Sequence, residues 1–346
     1  MRRGAAHVRG LYTVPALSGT QLKDGCDVIW NLGLRCVKLY LTADYAADYP
    51  LQSSWSSSPT TLAGLAATTQ FAAQLSRSWH TVGLTCFTFA NGSTNWWRAD
   101  QSKAKFAAEY TELRALAEYL LTTYAGTGRR FVLQNWEGDW AFMDSFTPDT
   151  STAGKFAEYY AAFLGVRQRA IEDARKAIDS DCQVLHAVEL NRVLDARLYA
   201  HRARILSRLA RRIRPDWLSY SAYDSTIVDQ GGWGASHAAW VEATRPAFRK
   251  ALRAMAAAFP GVPMQIGEYG FPEGSEKPVT ADVDAMIRLV DEEAQLAGVT
   301  VCQYWQALDN EVGGGGPGTY RGYWLRDPAG TLTTAGAAMQ ALGPGE

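Results

Sequence analysis

The chain has 346 residues, of which 47% are hydrophobic and 20% are charged, and its formal net charge at pH 7 is −1. This is the composition of a soluble globular protein without an overall positive field, so it argues against nucleic acid and anionic membranes as partners. No apolar run reaches the ~18 residues that a membrane-spanning helix needs, so no membrane association is expected.

The first residues and the cysteines bear on the compartment. Residues 1–7 are basic but lack the apolar core of a signal peptide. The protein is therefore expected to be cytoplasmic as the chain stands, or secreted if a leader was removed. Because no two cysteines form a CxxC pair, we predict buried free thiols without metal or disulfide roles for Cys26, Cys36, Cys86, Cys182 and Cys302.

Strand-like and helix-like patterns alternate along the whole chain. Short apolar runs typical of strands cover residues 8–14, 35–41, 82–89, 130–136, 183–190, 217–223, 263–268 and 299–305. Apolar residues at helical spacing follow each run, over residues 21–32, 59–79, 101–124, 153–178, 195–213, 237–259, 281–297 and 334–342. The sequence therefore predicts eight strand–helix units in succession.

This alternation predicts an α/β fold with parallel strands joined by right-handed crossovers. An open doubly wound sheet and a closed barrel both satisfy it. The count of eight, the length, and the absence of a GxGxxG motif after the first strand favour a (β/α)8 TIM barrel. We predict a single catalytic domain over residues 1–346, with long strand-to-helix loops.

One stretch of the chain is strongly basic. Seven arginines lie between Arg197 and Arg214, and apolar residues recur through the stretch at helical spacing. We predict an amphipathic helix with a solvated basic face here, in preference to a phosphate or nucleic-acid site.

The predicted strand-to-helix loops are long, and in a barrel they share the face that carries the active site. They cover residues 42–58, 90–100, 138–152, 224–236 and 307–333, and they are rich in aromatic residues: Trp55, Trp96, Trp97, Trp140, Trp233, Tyr320, Tyr323 and Trp324. Aromatic rings at the rim of a cleft stack on the apolar faces of sugar rings. The alternative is that these rings cap the barrel hydrophobically.

Two of the predicted strands lead into a glutamate. The segments Phe131-Val-Leu-Gln-Asn-Trp-Glu137 and Pro263-Met-Gln-Ile-Gly-Glu268 are short, mainly apolar, and each ends in a carboxylate. A carboxylate at the mouth of a buried strand is costly to place unless it has a function. Two of them, three strand–helix units apart, predict a carboxyl pair around a scissile bond.

At these strand ends the chain resembles the retaining glycoside hydrolases of clan A, a superfamily of (β/α)8 barrels. The resemblance implies that Glu137, after strand four, is the acid/base and that Glu268, on strand seven, is the nucleophile. It also implies that Tyr223 steadies the nucleophile, that Trp305 forms the floor of the sugar subsite, and that Lys38 is the basic residue near the nucleophile.

The chain departs from the clan beside the acid/base. The clan usually has asparagine immediately before that glutamate, whereas this chain has Trp136 there and Asn135 one residue further back. Either a bulge re-aims Asn135 toward the sugar 2-hydroxyl, or that hydroxyl is held differently. Asn135, Trp136 and the loop residue Trp233 complete the predicted substrate-binding residues.

The resemblance implies hydrolysis by double displacement, without a metal or a cofactor. It predicts net retention of anomeric configuration, with the two carboxyl groups about 5–5.5 Å apart. The aromatic rim favours an oligo- or polysaccharide substrate such as a β-linked glucan or mannan. A monomer is expected.

Two other functional classes stay open from the residues alone. The first is a metal-dependent TIM-barrel hydrolase or lyase, although the five histidines are dispersed without HxH or HExxH spacing and only His186 lies on a strand near candidate ligands. The second is a catalytically inactive carbohydrate-binding barrel. Further acidic residues expected on the reactive face could bind substrate or replace one of the pair: Asp139, Glu189, Asp224, Glu273 and Asp309.

Overall fold

The computed structural model describes residues 1–17, 19–52, 54–93, 95–143, 150–198, 203–227, 236–275 and 282–346. Its centre is a closed barrel of eight parallel strands in chain order, which confirms the predicted (β/α)8 fold. The strands are β1 (Arg2–His7), β2 (Cys36–Thr42), β3 (Thr81–Phe87), β4 (Arg130–Gln134), β5 (Gln183–Leu190), β6 (Trp217–Ser221), β7 (Met264–Tyr269) and β8 (Val301–Tyr304). Pairing of Arg2 with Val301 joins β1 to β8 and closes the barrel.

Helices fill the connections between the strands. They are α1 (Gln21–Asn31), α2 (Tyr45–Asp48), α3 (Leu62–Ala66), α4 (Thr69–Leu75), α5 (Lys103–Thr123), α6 (Gly138–Phe142), α7 (Thr150–Ala177), α8 (Val193–Leu198), α9 (Ile205–Arg208), α10 (Tyr223–Thr226), α11 (His237–Ala258), α12 (Val283–Leu296) and α13 (Thr334–Leu342). Within the described ranges, no helix is long and apolar enough to cross a membrane.

The prediction for the first strand was wrong. Residues 8–14 alternate like a strand, but β1 is the preceding segment Arg2–His7, which has no β-branched residue. A glycine is needed at position 4 because β1 lies close to β2 there: a Cβ added at Gly4 would fall 2.1 Å from the Cys36 carbonyl oxygen. After β1 the chain leaves the ladder, since the Val8 N–H donates to the Gln306 side chain.

Two predicted helices are each broken in the structure. The stretch 59–79 forms α3 and α4, and each begins at its own threonine N-cap, Thr61 and Thr68. In the basic stretch, α8 and α9 replace the single amphipathic helix. Arg204 is fully buried, with its Nη2 2.7 Å from Asp195 Oδ2, so this part of the basic face is not solvated.

Alternation along the strands separates an apolar shell from the barrel interior, in which an apolar layer that includes Val132 and Trp217 lies below a polar layer. On β2, Val37, Leu39 and Leu41 pack into the main hydrophobic core, whereas Lys38 contacts residues of β5 and β7 across the barrel. Other buried polar residues accompany Lys38 in the interior: Gln134, Glu189, Ser219, Gln265 and Gln303. This polar layer lies directly beneath the carboxyl ends of the strands.

All five cysteines are buried and free, as predicted. Burial raises the pKa of the Cys26 thiol to about 12, so it stays protonated at neutral pH.

Candidate active site

The two predicted glutamates meet at the carboxyl end of the barrel. Glu268 lies on β7 and is 3% exposed, and Glu137 follows β4 and is half-buried. The Ser221 hydroxyl, at the end of β6, lies 2.7 Å from Glu137 Oε1 and 3.4 Å from Glu268 Oε2. Those two contacts laid end to end limit the separation of the two oxygens to about 6 Å.

Lys38 links Glu268 to a third carboxylate, Glu189. The Lys38 ammonium donates to Glu268 Oε1 at 2.6 Å and to Glu189 Oε2 at 2.8 Å, and all three side chains are buried. Burial lowers the pKa of Lys38, but the two carboxylates outweigh burial and leave that pKa above its ordinary value. Lys38 therefore keeps its positive charge at neutral pH.

The environment raises the pKa of both glutamates. Burial and then the Glu268 carboxylate raise the pKa of Glu137 to about 8, against a hydrogen bond from Ser221 that lowers it. Burial also raises the pKa of Glu268, to about 7, although Lys38 acts in the opposite direction. Because Glu268 alone of the pair touches the ammonium, Glu268 ionises first while Glu137 keeps its proton.

Two adjoining cavities open above the pair. The first has a volume of about 280 Å³ and is lined by Trp136, Glu137, Tyr223, Ile227, Glu268, Trp305, Glu311, Arg321 and Tyr323. The second, about 560 Å³, is lined by Val8, Arg9, Tyr40, Asp44, Phe87, Gly92, Ser93, Asn95, Trp136, Trp305, Asn310 and Glu311. Since Trp136, Trp305 and Glu311 border both cavities, the two form one cleft across the face of the barrel.

The structure brings most of the predicted site residues to this cleft. Trp136, Tyr223 and Trp305 line it, and Lys38 lies below it against Glu268. Trp233 falls outside the described residues.

Asn135 is placed elsewhere. It is fully buried and does not line either cavity. Its Oδ1 accepts the Glu189 N–H at 3.1 Å, and its Nδ2 donates to the Glu189 carbonyl at 3.3 Å. Asn135 therefore lies outside the cleft, and its side chain holds the backbone of Glu189.

Four of the other acidic residues are bound to backbone N–H groups and do not line the cleft. Asp139 accepts the N–H groups of Asn191, Arg192 and Ile205. Asp224 accepts the Leu194 N–H, Asp309 those of Glu311 and Gly322, and Glu273 those of Thr334 and Ala335 at the start of α13. These carboxylates fix the strand-to-helix loops in place.

The described loop tryptophans pack against other side chains of the protein, and two of them, Trp96 and Trp97, are buried. Trp97 is fully buried and stacks on Tyr160 with ring centroids 4.8 Å apart. Trp55 packs against Tyr45, and Trp140 contacts buried arginines. For these residues the structure supports hydrophobic capping of the barrel, which the sequence left as the alternative to sugar stacking.

The histidine that could have pointed to a metal is a core residue. His186 is 1% exposed, its Nδ1 lies 2.9 Å from Gln168 Oε1, and burial lowers its pKa to about 3. Among the described residues, no group of three or more His, Cys, Asp or Glu side chains is arranged to hold a metal ion.

Comparisons with known proteins give likeness in structure alone. No model of a protein family matches the chain, and no curated protein matches its sequence. A GH5_18 protein from Bifidobacterium longum subsp. longum has a TM-score of 0.63 at 15% identity, over 99% of this chain and 78% of that one. A GH5-4 broad specificity endoglucanase from Bacteroides salanitronis has a TM-score of 0.59 at 12% identity, over 99% and 92%. These likenesses show the fold.

A third neighbour was solved with a sugar. It is a variant of a GH5_18 protein from Bifidobacterium longum subsp. longum in complex with Manβ1-4GlcNAc. Its TM-score is 0.59 at 15% identity, and the match covers 93% of this chain and 72% of that one.

Proposed function

We propose that this protein is a retaining glycoside hydrolase, with Glu268 as nucleophile and Glu137 as general acid and base. The observation that carries the proposal is the Ser221 hydroxyl, which contacts both carboxylates and so limits the distance from Glu137 Oε1 to Glu268 Oε2 to about 6 Å. Inverting enzymes need about 6.5–9.5 Å to admit a water molecule, and retaining enzymes have about 5–5.5 Å. The fold that the chain shares with GH5 proteins adds support.

In the first step, a Glu268 carboxylate oxygen attacks the anomeric carbon and forms a glycosyl ester. The bond from that carbon to the leaving oxygen breaks, and the leaving oxygen takes the proton of Glu137. The raised pKa of Glu137 suits it to this role, because it holds a proton at neutral pH.

In the second step, a water molecule attacks the anomeric carbon from the side that the leaving group has left. Glu137, now ionised, takes the proton of that water, and the ester bond breaks to restore the Glu268 carboxylate. Loss of the Glu137 proton in the first step makes Glu137 a base for the second. Lys38, 2.6 Å from Glu268, stabilises the carboxylate in the resting state.

The cleft suggests a β-linked oligo- or polysaccharide as substrate. Trp136, Trp305, Tyr223 and Tyr323 offer ring faces beside the proposed catalytic pair. The adjoining cavity adds polar side chains that suit sugar hydroxyls: Arg9, Asp44, Ser93, Asn95 and Asn310. The neighbours that include an endoglucanase and a complex with Manβ1-4GlcNAc make glucans and mannans the first substrates to test.

The test is hydrolysis of a panel of β-glucans, β-mannans and aryl β-glycosides, measured as released reducing ends or phenol. We expect the wild type to cleave at least one substrate. Glu268→Gln should lose most of the activity on every substrate, and Glu137→Gln should lose most of it on the polysaccharides, whose leaving groups are poor. The matched control is Glu118→Gln on α5, a partly exposed carboxylate that pairs with Arg114 at the surface. Binding of a glycan without turnover would instead support an inactive carbohydrate-binding barrel, and activity lost to a chelator and restored by a divalent metal would support the metal-dependent class.

A further inference from the structure

Glu189, on β5, is a fully buried carboxylate to which the two-glutamate mechanism gives no part. We propose that Glu189 is a positioning residue that holds both proposed catalytic glutamates in register: one oxygen binds the backbone of Glu137, and the other shares Lys38 with Glu268. The inference rests on the proposed function, because it names the group that aligns the same site.

The contacts of Glu189 join the two halves of the site. Its Oε1 accepts the Glu137 N–H at 3.2 Å, and its Oε2 accepts the Lys38 ammonium at 2.8 Å. The same Oε2 also accepts from Ser219 Oγ at 2.9 Å and from Gln134 Nε2 at 2.8 Å. An ionised carboxylate offers about four acceptor sites and no donor, so four donors match its ionised form.

The glycines beside the two proposed catalytic residues leave room for Glu189. Gly267 precedes Glu268, and a Cβ added there would fall 2.7 Å from Glu189 Oε2 and 2.0 Å from Ser219 Oγ. Gly138 follows Glu137, and a Cβ added there would fall 2.5 Å from the Glu189 carbonyl oxygen. Both segments that carry the pair therefore approach Glu189 too closely for a larger residue.

Glu137 needs such a support because its backbone is in the left-handed region, with φ at 28°. A non-glycine residue adopts this conformation rarely, and it is kept where the surroundings fix it. The hydrogen bond from the Glu137 N–H to Glu189 supplies that constraint from inside the barrel. The direction of the proposed acid/base side chain therefore depends on Glu189.

For Glu268, the role of Glu189 is electrostatic. The Lys38 ammonium pairs with both carboxylates, so it lowers the pKa of Glu268 less than it would if Glu268 were its only partner. Without the charge of Glu189, Lys38 would pair fully with Glu268, and the pKa of Glu268 and that of Glu137 would both fall. Within the described ranges, the charged and titratable groups that face these carboxylates from inside the barrel or from the helices are Lys38, Tyr40, Tyr160 and Tyr223, and those that line the cavity above the pair are Glu311, Arg321 and Tyr323.

The test substitutes Glu189→Gln, which keeps the shape, removes the charge, and places an amide NH₂ among four donors. We expect kcat on a cleaved glycoside to fall on the order of 10²-fold, since misplacement of a catalytic group by ~1 Å costs about that much. We also expect both limbs of the pH profile of kcat/KM to move to lower pH. Glu189→Asp keeps the charge but is too short for both contacts, so it should lose kcat with a smaller shift of the limbs.

The matched control is Glu112→Gln, which changes another buried carboxylate. Glu112 accepts the backbone N–H groups of Leu62, Phe89 and Ala90, and these three donors belong to segments that do not carry Glu137 or Glu268. A merely structural role predicts that Glu189→Gln resembles Glu112→Gln, with lower stability and unmoved limbs. That result would overturn the inference.

A readout without turnover separates this inference from the proposed function. Carbon-13 labelled glutamate carboxyls are titrated by NMR, and Glu137 and Glu268 are assigned from the signals lost in Glu137→Gln and Glu268→Gln. If both signals titrate at lower pH in Glu189→Gln, the inference holds even where the wild type hydrolyses nothing, and the proposed function alone fails. If hydrolysis is found but neither the limbs nor the signals move, the positioning role fails and the proposed function stands.

Discussion

Removal of the buried ammonium should make the protein less stable, and the loss of stability should grow as the pH rises. Lys38 is fully buried and is the cation between Glu189, at 2.8 Å, and Glu268, at 2.6 Å. Removal of one partner from a buried ion pair costs about 3–5 kcal/mol, because the remaining charge has no counterpart. We therefore expect Lys38→Met to lower the free energy of unfolding by about 3–5 kcal/mol at pH 8.

The pH dependence follows from the proton balance. Without Lys38, the already raised pKa of Glu268 rises further, because burial and Glu189 both disfavour its ionised form. Between the ordinary glutamate pKa and this raised value, the native variant holds a proton that the unfolded chain has released. Stability of the variant then falls as the pH rises through that window. The difference in the free energy of unfolding between wild type and Lys38→Met should therefore be smaller at pH 5 than at pH 8.

The assay is urea unfolding of both proteins at pH 5 and pH 8, with equal m values as the check on two-state behaviour. The matched control is Lys23→Met, since Lys23 forms a surface pair with Asp27 and its side chain is 46% exposed. A surface pair contributes ~0–1 kcal/mol. If Lys38→Met costs no more than Lys23→Met, or costs the same at both pH values, Lys38 does not balance the charge of the two buried carboxylates and the reasoning is refuted.

Three further predictions concern the proposed chemistry. Glu137→Ala should lose about 10²–10⁴-fold in kcat/KM, which reports the first step, on substrates with poor leaving groups but far less on activated aryl glycosides, and equal losses of kcat/KM on both would contradict an acid role. The pH profile of kcat/KM should fall on its alkaline side near pH 8, where Glu137 ionises. Because the pKa of Glu268 is raised, the acid limb should lie above the ordinary pKa range of glutamate, and an acid limb near pH 4 would contradict this assignment. Trp305→Ala should raise KM, because Trp305 borders both cavities. An unchanged KM with a lower melting temperature would show that Trp305 only packs the barrel.

Much of the fold could be read from the sequence because strand and helix periods alternate cleanly. The first strand could not, since Gly4, Ala5 and Ala6 lack the β-branched side chains that mark a strand. At Gly4 the small size is set by the close approach of β2, which is a tertiary constraint. The break between α3 and α4 is, by contrast, a local effect, made by the Thr68 cap.

The site was partly readable. The sequence pointed to Glu137 and Glu268 because each lies at the end of a mainly apolar strand. It did not reveal that Glu189 lies between them. A signal was present: Lys38 and Glu189 are opposite charges, each inside an apolar strand, as Val37-Lys38-Leu39 and Val188-Glu189-Leu190. Opposite charges that alternate inward on two strands of a closed barrel can meet across its interior. The register that brings them together comes from closure of the barrel, and no local pattern contains it.

The loop aromatics show the limit of composition as a guide. Trp97 and Trp55 lie in strand-to-helix loops, where a residue that stacks on a sugar is expected, yet their rings pack against other aromatic rings of the protein. Trp136 and Trp305 lie at strand ends and line the cleft. Position relative to the strand end was therefore more informative than aromatic content.

The proposal that Glu268 attacks the sugar is tested most directly by trapping of the glycosyl ester. A β-glycoside with fluorine next to the anomeric carbon and a good leaving group is incubated with the protein, in gluco and manno forms, and the peptic peptides are identified by mass spectrometry. We predict one sugar attached to Glu268, with no attachment in Glu268→Gln. A sugar on Glu137 or Glu189, or turnover of the natural substrate to a product of inverted configuration, would contradict the account.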